Sequence, residues 1–219
     1  THLGRVRNAM AYGVSLIKGE QCCGLPAIAN GMSEKARANG RHNIAAMERA
    51  LRDAECIVTT SSSCTFTMRS EYESLLRLDN SSVAESINFA TKFIYQQLKS
   101  GAAQLRFKPD FKLRVAFHSA CHMERLGWTI YSIELLKMIP GLELVKLESR
   151  CCGIGGTYGF KKENYDVSQS IGAPLFKQIG EVDPDVVVTD CETCKWQIEM
   201  STPYRVMNPI SIINDAILD

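Results

Sequence analysis

The sequence lacks the features that mark membrane-spanning, secreted and nucleic-acid-binding proteins. No apolar run reaches the roughly 18 residues that a transmembrane helix needs, and no signal-peptide pattern opens the sequence. Lys and Arg number 25 against 24 Asp and Glu, and no basic run is longer than a pair such as Lys161-Lys162. A net charge of +1 therefore predicts no attraction to nucleic acid or to an anionic membrane surface.

Cysteine is plentiful, but its arrangement argues against a disulfide scaffold. The nine cysteines are odd in number and include two CC pairs and one CxxC. Adjacent cysteines do not easily bridge each other, because the strained ring conflicts with disulfide geometry. This usage predicts a reducing compartment, so we expect a cytoplasmic protein. With 219 residues and an apolar fraction of 45%, the chain has room for one large or two small domains.

Five cysteines in the second half are the candidate metal ligands. They are Cys121, Cys151, Cys152, Cys191 and Cys194. Five thiols exceed the four that a structural zinc site takes, and thiolates are the ligands that iron–sulfur clusters prefer. A CxxC at a strand-to-helix junction directs both sulfurs to one side of a helix N-terminus, where free amides favour the thiolate. The pattern predicts an iron–sulfur centre with unusual ligation, in which Gly153 lets the backbone pass close to the centre.

Strands and helices alternate along the chain. The strands are predicted at residues 14–17, 56–60, 112–117, 142–147 and 185–189. The helices are predicted at residues 3–12, 33–51, 66–77, 83–98, 130–139, 164–179 and 212–218, with Ser33 as the N-cap of the second. Such alternation predicts an α/β fold, in which small, mostly parallel sheets are flanked by crossover helices.

The chain contains an internal repeat. Its two CCG triplets begin at Cys22 and Cys151, an offset of 129 residues, and Cys64 matches Cys194 to within one residue of that offset. A repeat of this length predicts two duplicated cysteine-rich units, at residues 1–101 and 112–219, joined by a linker at 102–111. In this register the counterpart of Cys121 falls before Thr1. We therefore expect the first unit to be N-terminally incomplete and the chain to be a fragment of a longer protein.

The first unit keeps fewer candidate ligands than the second. It has Cys22, Cys23 and Cys64, whereas Ser61 stands at the place that corresponds to Cys191. Any cofactor is therefore expected first at the second site, and cluster binding at the first site stays open. The ninth cysteine, Cys56, lies in an apolar stretch and is predicted to be a small buried hydrophobic residue.

The doubled pattern Cys … Cys-Cys-Gly … Cys-x-x-Cys resembles the cysteine-rich CCG domains of a known family. That family includes the cysteine-rich subunit of heterodisulfide reductase and the iron–sulfur subunits of glycolate and lactate oxidation. Within it, longer stretches look most like the branch formed by the iron–sulfur subunits of anaerobic glycerol-3-phosphate dehydrogenases. Those stretches are residues 151–154, 156–165 and 189–201, supported by 118–123 and 29–31. The resemblance covers the whole chain.

The resemblance implies an electron-transfer subunit of an oxidoreductase complex, with no substrate-oxidising site of its own. Such subunits carry electrons from a flavin-containing dehydrogenase partner to the membrane quinone pool in anaerobic respiration. They lie on the cytoplasmic side, peripheral to the cell membrane. In that branch a ferredoxin-like domain with two ordinary clusters forms the N-terminal part, which this sequence does not contain.

The resemblance also implies the cofactor. CCG domains hold iron–sulfur clusters of the non-cubane 4Fe-4S type on five cysteine ligands, and all five match at the second site. The first site departs from that pattern at Ser61, so a second cluster there would have fewer ligands. A further departure is Asn208, because family members usually have histidine before the Pro-Ile of Pro209-Ile210.

Two other interpretations of the cysteines stay open. In one, four of the five thiolates hold a single zinc ion tetrahedrally and the chain is an interaction module. In the other, Cys191 and Cys194 carry out thiol–disulfide exchange. Two histidines flank Cys121, and we expect both His118 and His122 to donate hydrogen bonds near the centre rather than to bind metal. Trp128 is expected to shield the same centre from solvent.

Overall fold

A parallel β-sheet forms in each half of the chain. The computed structural model describes residues 2–218, apart from the side chains of residues 7–9; Thr1 and Asp219, where the predicted units begin and end, lie outside the described residues. The strands are β1 (Ile57–Thr59), β2 (Ile87–Phe89), β3 (Leu113–His118), β4 (Leu142–Lys146), β5 (Val186–Thr189) and β6 (Val206–Met207). The first sheet pairs β1 with β2, and the second has the order β4-β3-β5-β6, with every pair parallel. These sheets, together with their flanking helices, confirm the predicted α/β class.

Helices connect the strands, because parallel strands need crossover connections. They are α1 (His2–Ala9), α2 (Leu25–Ala29), α3 (Ser33–Ala50), α4 (Ser62–Phe66), α5 (Tyr72–Ser74), α6 (Ser81–Ala84), α7 (Ala90–Ser100), α8 (Cys121–Leu126), α9 (Thr129–Leu136), α10 (Tyr165–Val182), α11 (Glu192–Ser201) and α12 (Pro209–Ala216). Single turns of other helix types are a π-helix at Thr67–Glu71 and 3₁₀ helices at Tyr158–Phe160 and Lys162–Asn164.

Strand β5 is central to the second sheet. All four of its residues are buried, as expected for a parallel strand whose two faces are both covered. Val186 and Val188 pack into a core with α9 and α12, whereas Val187 faces the opposite core with α10 and α11. The valines of β5 thus pack against helices on both sides of the sheet. The CxxC begins just after this buried strand.

Two predicted elements are wrong. No strand forms at residues 14–17, where Leu16 is 86% exposed. The corresponding strand of the second sheet, β4, pairs only with β3, and the part of the chain that the structure describes holds no first-half counterpart of β3. The predicted helix at 83–98 is interrupted by β2, whose Ile87 and Phe89 are fully buried against the first sheet and the core of the second half.

Helix starts also differ from the predictions. Met32, not Ser33, is the N-cap of α3, and no side chain caps that helix. The predicted helix at 66–77 is present only in pieces, because a π-helical turn follows α4 directly. Such turns are frequent at functional sites, and this one places Arg69 beside the second half of the chain, 5.2 Å from the ring centroid of Trp128.

The two halves share a hydrophobic core. Val6 and Met10 near the N-terminus and Ala90 and Ile94 of α7 pack with strands and helices of the second half. A separate core lies within the first half, around Tyr72 and its neighbours. Because α7 and β2 pack on the second half, helix α4 is carried to a position against α8, beside the second group of cysteines.

Candidate metal centre

The cysteines of the second half gather where three neighbouring parallel strands end. Cys121 opens α8 just after β3, the CC pair follows β4, and Cys191 follows β5 as the N-cap of α11. The carboxyl ends of parallel strands meet at one edge of a sheet, which is where such folds place their ligands. Chain order therefore converts three distant motifs into one site.

The core of the site is a buried group of two sulfurs and an imidazole. The Sγ atoms of Cys152 and Cys194 lie 3.2 Å apart. Ligand atoms of His118, Cys152 and Cys194 all lie within 4.8 Å of one another, and among the described residues this is the one group of three or more His, Cys, Asp or Glu side chains close enough to hold a metal ion. All three are buried, so a bound ion would be largely shielded from water.

The other three predicted ligands surround this group. Cys191 is 5% exposed, whereas Cys121 and Cys151 lie on the exposed rim. Burial raises the pKa of the Cys121 thiol, and the nearby sulfurs of Cys191 and Cys152 raise it further, which places the three in one electrostatic neighbourhood. The backbone amide of Gly153 donates to Cys151 Sγ at 3.3 Å.

The thiols of the site share protons unequally. Hydrogen bonds from Cys151 and Cys194 hold the pKa of Cys152 well below its usual range. A hydrogen bond from Cys194 likewise lowers the pKa of Cys191 to about 5. Conversely, the hydrogen bond between Cys152 and Cys194 raises the pKa of Cys194 well above its usual value. A lowered pKa favours the thiolate, which is the form that binds metal.

His118 is more central than the sequence indicated. Its ring is 1% exposed, and neither ring nitrogen has a hydrogen-bond partner of good geometry among the residues described. Buried polar groups without partners are costly and uncommon, so an imidazole orphaned beside two sulfurs fits a site that holds an ion or cluster. The available signal was its place at the end of β3, three residues before Cys121.

Asp190 is a buried residue of the site that the sequence analysis missed. Its carboxylate is fully buried, and Ser132 donates to its Oδ1 at 3.0 Å, while Oδ2 has no partner within the described chain. Burial raises the pKa of Asp190 to about 7. Thr91 of the first half hydrogen-bonds Ser132 at 2.7 Å. The signal was a lone acidic residue between a valine-rich strand and the CxxC.

Gly153 is needed where the CCG loop approaches helix α10. Its φ is +89°, and a Cβ there would lie 2.0 Å from the carbonyl oxygen of Ser168 in α10. A Cβ on Gly172 would lie 2.5 Å from the Cys152 carbonyl. The two glycines thus let the CCG loop and helix α10 touch, and Ser168 Oγ donates to the Gly153 carbonyl at 2.9 Å. The close approach of Gly153 to a metal centre stays a prediction, and its amide already donates to Cys151 Sγ.

The first site is less compact. Cys22 is exposed, Cys23 is buried and Cys64 is partly buried, and the described residues form no group of three close ligand atoms there. A hydrogen bond from Cys23 lowers the pKa of Cys64 to about 7, and Ser61 adds a second hydrogen bond to that sulfur. Cys56 precedes β1 and is only partly buried, so the prediction of a buried residue is wrong.

Helix α4 of the first half borders the second site. Ser63 Oγ lies 3.4 Å from Cys191 Sγ and 2.9 Å from His122 Nδ1. The His122 ring stacks on Phe66, with ring centroids 5.0 Å apart. The backbone amide of Ser62 donates to the Asp190 carbonyl at 3.0 Å. Residues of one half therefore reach the sulfurs of the other.

Trp128 and Asn208 have defined structural roles. Trp128 is 9% exposed and packs in the same core as Cys152 and Cys191, with Lys92 Nζ 3.9 Å from its ring centroid. Asn208 is the N-cap of α12, and its side chain accepts from the amide of Ile210 at 3.0 Å. Asn208 therefore caps a helix at the position where family members usually have histidine.

Comparison with known protein families gives one clear match. A family model described as "CCG: Cysteine-rich domain" matches residues 1–69 and 115–199. These two segments cover more than half of the chain and contain every cysteine that the sequence analysis placed at a metal site.

Several curated proteins are similar to this chain. A subunit of the anaerobic glycerol-3-phosphate dehydrogenase of Escherichia coli is 51% identical over 214 residues, which are 97% of this chain and 54% of that protein. The lactate utilization protein A of Geobacillus thermodenitrificans is 31% identical over 89% of this chain and 83% of its own length. An uncharacterized iron-sulfur protein of Methanocaldococcus jannaschii is 31% identical over 90% of this chain and 37% of its own. The chain thus spans about half the length of the dehydrogenase subunit.

Proposed function

Because the chain belongs to the family of cysteine-rich CCG domain proteins, we propose that it is an iron–sulfur electron-transfer subunit of an oxidoreductase complex. The observation that carries this proposal is the buried pair of sulfurs from Cys152 and Cys194, 3.2 Å apart beside the orphaned ring of His118. A structural role alone would leave the buried His118 ring with the Cys152 sulfur as a close neighbour but with no hydrogen bond of good geometry among the described residues, which is unfavourable.

The proposed ligands are Cys121, Cys151, Cys152, Cys191 and Cys194. A bound cluster of the non-cubane 4Fe-4S type would supply one-electron chemistry at this site. The protein holds the sulfurs at the ends of three strands, lowers the pKa of two of them, and covers the inner side with the core around Trp128. The rim residues Cys121 and Cys151 leave one side open toward solvent, where an electron donor or acceptor can approach.

The partners follow from the resemblance to the glycerol-3-phosphate dehydrogenase branch. We propose a flavin-containing glycerol-3-phosphate dehydrogenase subunit as electron donor and the membrane quinone pool as acceptor, reached directly or through other groups of the complex. A ferredoxin-like domain would belong to the complete subunit. We place the complex in the cytoplasm, peripheral at the inner face of the cell membrane. No helix in the described part of the chain is long and apolar enough to cross a bilayer.

A second cluster at Cys22, Cys23 and Cys64 is a weaker proposal. The hydrogen-bonded pair of Cys23 and Cys64 supports it, whereas Ser61 occupies a ligand place. Iron content decides between one cluster and two, because each non-cubane cluster brings four iron atoms.

The alternative supported by a specific observation is a zinc site. His118, Cys152 and Cys194 already lie within 4.8 Å of one another, and Cys191 would complete a Cys₃His set of the kind that binds structural zinc. The first experiment is anaerobic expression of the chain, followed by iron, zinc and acid-labile sulfide analysis and electron paramagnetic resonance. Iron with sulfide and a reducible signal supports electron transfer, whereas one zinc ion without sulfide replaces it by the zinc module.

A further inference from the structure

The hydroxyl group of Ser63 connects the first half of the chain to a sulfur of the second site. Ser63 is 8% exposed and lies in α4, and its Oγ approaches Cys191 Sγ at 3.4 Å. On its other side the same oxygen is 2.9 Å from His122 Nδ1. The three side chains come from three separate segments. The series of hydrogen bonds from His122 through Ser63 to Cys191 therefore exists only in the folded protein.

The chemistry of the three groups sets the direction of these hydrogen bonds. A ligating thiolate has no proton and can only accept, and a serine hydroxyl has a single proton to donate. Ser63 must therefore donate to Cys191 Sγ when Cys191 binds a metal. Its oxygen then accepts from His122, which must carry a proton on Nδ1. Stacking on Phe66 holds the imidazole in the orientation that this requires.

We propose that Ser63 is a positioning residue of the second site, which raises the reduction potential of a cluster bound there by donating a hydrogen bond to Cys191 Sγ. This inference rests on the proposed function. Hydrogen bonds to ligand sulfurs tune cluster potentials. A donor that draws negative charge away from the sulfur stabilises the reduced state, which carries one more electron, more than the oxidised state.

The internal repeat relates Ser63 to a residue of the second site. With the offset of 130 residues that relates Cys64 to Cys194, Ser63 corresponds to Thr193, whose Oγ1 lies 3.2 Å from the same Cys191 Sγ. One sulfur is therefore contacted by equivalent hydroxyl groups from both halves. The first half, which has Ser61 in a ligand place, still acts on the cluster site of the second half.

The test is a potentiometric titration of the anaerobically prepared full chain, comparing wild type with Ser63→Ala. We expect the midpoint potential of the variant to become more negative by ~59 mV. For a one-electron couple this shift corresponds to a tenfold change in the ratio of reduced to oxidised cluster at a given potential. Ser62→Ala is the matched control, because Ser62 is fully buried in the same helix and its Oγ has no hydrogen-bond partner among the described residues. Ser63→Thr, which keeps the hydroxyl, should restore the wild-type potential.

A second pair of variants makes the test independent of Ser63 folding effects. His122→Ala removes the donor that orients the Ser63 hydroxyl, whereas His122→Asn keeps an N–H group near the place of Nδ1. We expect the potential of His122→Ala to shift in the negative direction by less than that of Ser63→Ala. The shift of His122→Asn should be smaller still. If Ser63→Ala loses its cluster, the His122 pair decides the question.

Some results would overturn the inference. An unchanged potential in Ser63→Ala that still binds iron would do so, as would an equal shift in Ser62→Ala, or no difference within the His122 pair. Those outcomes leave the proposed function intact. A wild-type chain that takes up no iron and sulfide under anaerobic conditions would instead overturn the proposed function, and this inference with it.

Discussion

Cys152 Sγ and Cys194 Sγ are 3.2 Å apart, although the two residues are 42 positions apart in the chain and follow different strands. Between them in the sheet runs β3, which ends at His118. The contact is therefore a product of the β4-β3-β5 strand order. Variants of these side chains can therefore test whether the site binds metal.

Replacing either sulfur of this pair should abolish cluster binding. We expect Cys152→Ser and Cys194→Ser to lower metal affinity by more than ~100-fold, because even residues that only support ligands cost about 10–100-fold. Iron and sulfide content after anaerobic preparation measures the effect. Cys56→Ser is the control, since Cys56 lies outside both predicted sites, and an equal loss in that variant would point to unfolding rather than to lost ligation.

Asp190→Asn should change how stability depends on pH. Burial raises the pKa of Asp190 to about 7 in the folded chain, against about 3.9 in an unfolded one. Between these values the folded state binds more protons than the unfolded state, so the Asp190 contribution to stability is present at low pH and is lost as pH rises toward 7. Above pH 7 the contribution stays constant.

Comparing wild type with Asp190→Asn isolates the effect of the Asp190 carboxyl group on stability. Urea unfolding of metal-free wild type and Asp190→Asn at pH 5 and pH 8 should show the variant gaining on wild type by roughly 2–3 kcal/mol at the higher pH. The amide can still accept from Ser132. Parallel pH profiles for the two proteins would show that Asp190 is ionised throughout the range.

Gly153→Ala should destabilise the chain more than an alanine at a comparable glycine. Gly153 combines a φ of +89° with a Cβ position 2.0 Å from a backbone oxygen of α10. Gly127 has a φ of +69°, but no atom of the described residues lies within 4 Å of its Cβ position. We expect Gly127→Ala to cost about 1 kcal/mol from backbone strain alone, and Gly153→Ala to cost more than ~3 kcal/mol.

Denaturant unfolding of both variants measures this difference. Equal costs would mean that the CCG loop moves away from α10 without loss, and the close approach would then be incidental. Iron content of Gly153→Ala adds a second result, because displacement of the loop should also move Cys151 and Cys152.

Asn208→Ala should weaken the last helix by removing its cap. Loss of the N-cap side chain costs about 1 kcal/mol, whereas serine caps nearly as well as asparagine. Asn208→Ser therefore serves as the control: it also removes the weaker contact from Asn208 Nδ2 to the Thr60 carbonyl at 3.3 Å. The difference in unfolding free energy between the two variants measures the cap. No difference would mean that the Thr60 contact, and not the cap, explains any loss.

Local structure was predictable where the physical signal was local. The helix at Ser33–Ala50 buries Ala36, Ile44 and Met47 at helical spacing, and the valines of β5 form an unbroken buried run. Strand β2 was not predictable, because Ile87-Asn88-Phe89 is short and sits between helical patterns. Only pairing with β1 and burial against the second half make it a strand. Residues 14–17 show the converse, since their apolar pattern has no described strand to pair with.

By itself the sequence determined which side chains are available to bind a metal. The types, number and spacing of its cysteines predict a thiolate metal centre, and the offset between its CCG triplets predicts a duplicated unit with one incomplete site. Only the tertiary structure decided which other groups lie beside those cysteines. His118 and Asp190 become significant because burial removes their water, and Ser63 because α4 packs against α8 and brings a hydroxyl to Cys191. Ligand types are encoded residue by residue, whereas dehydration and contacts between distant segments arise only when the chain is packed.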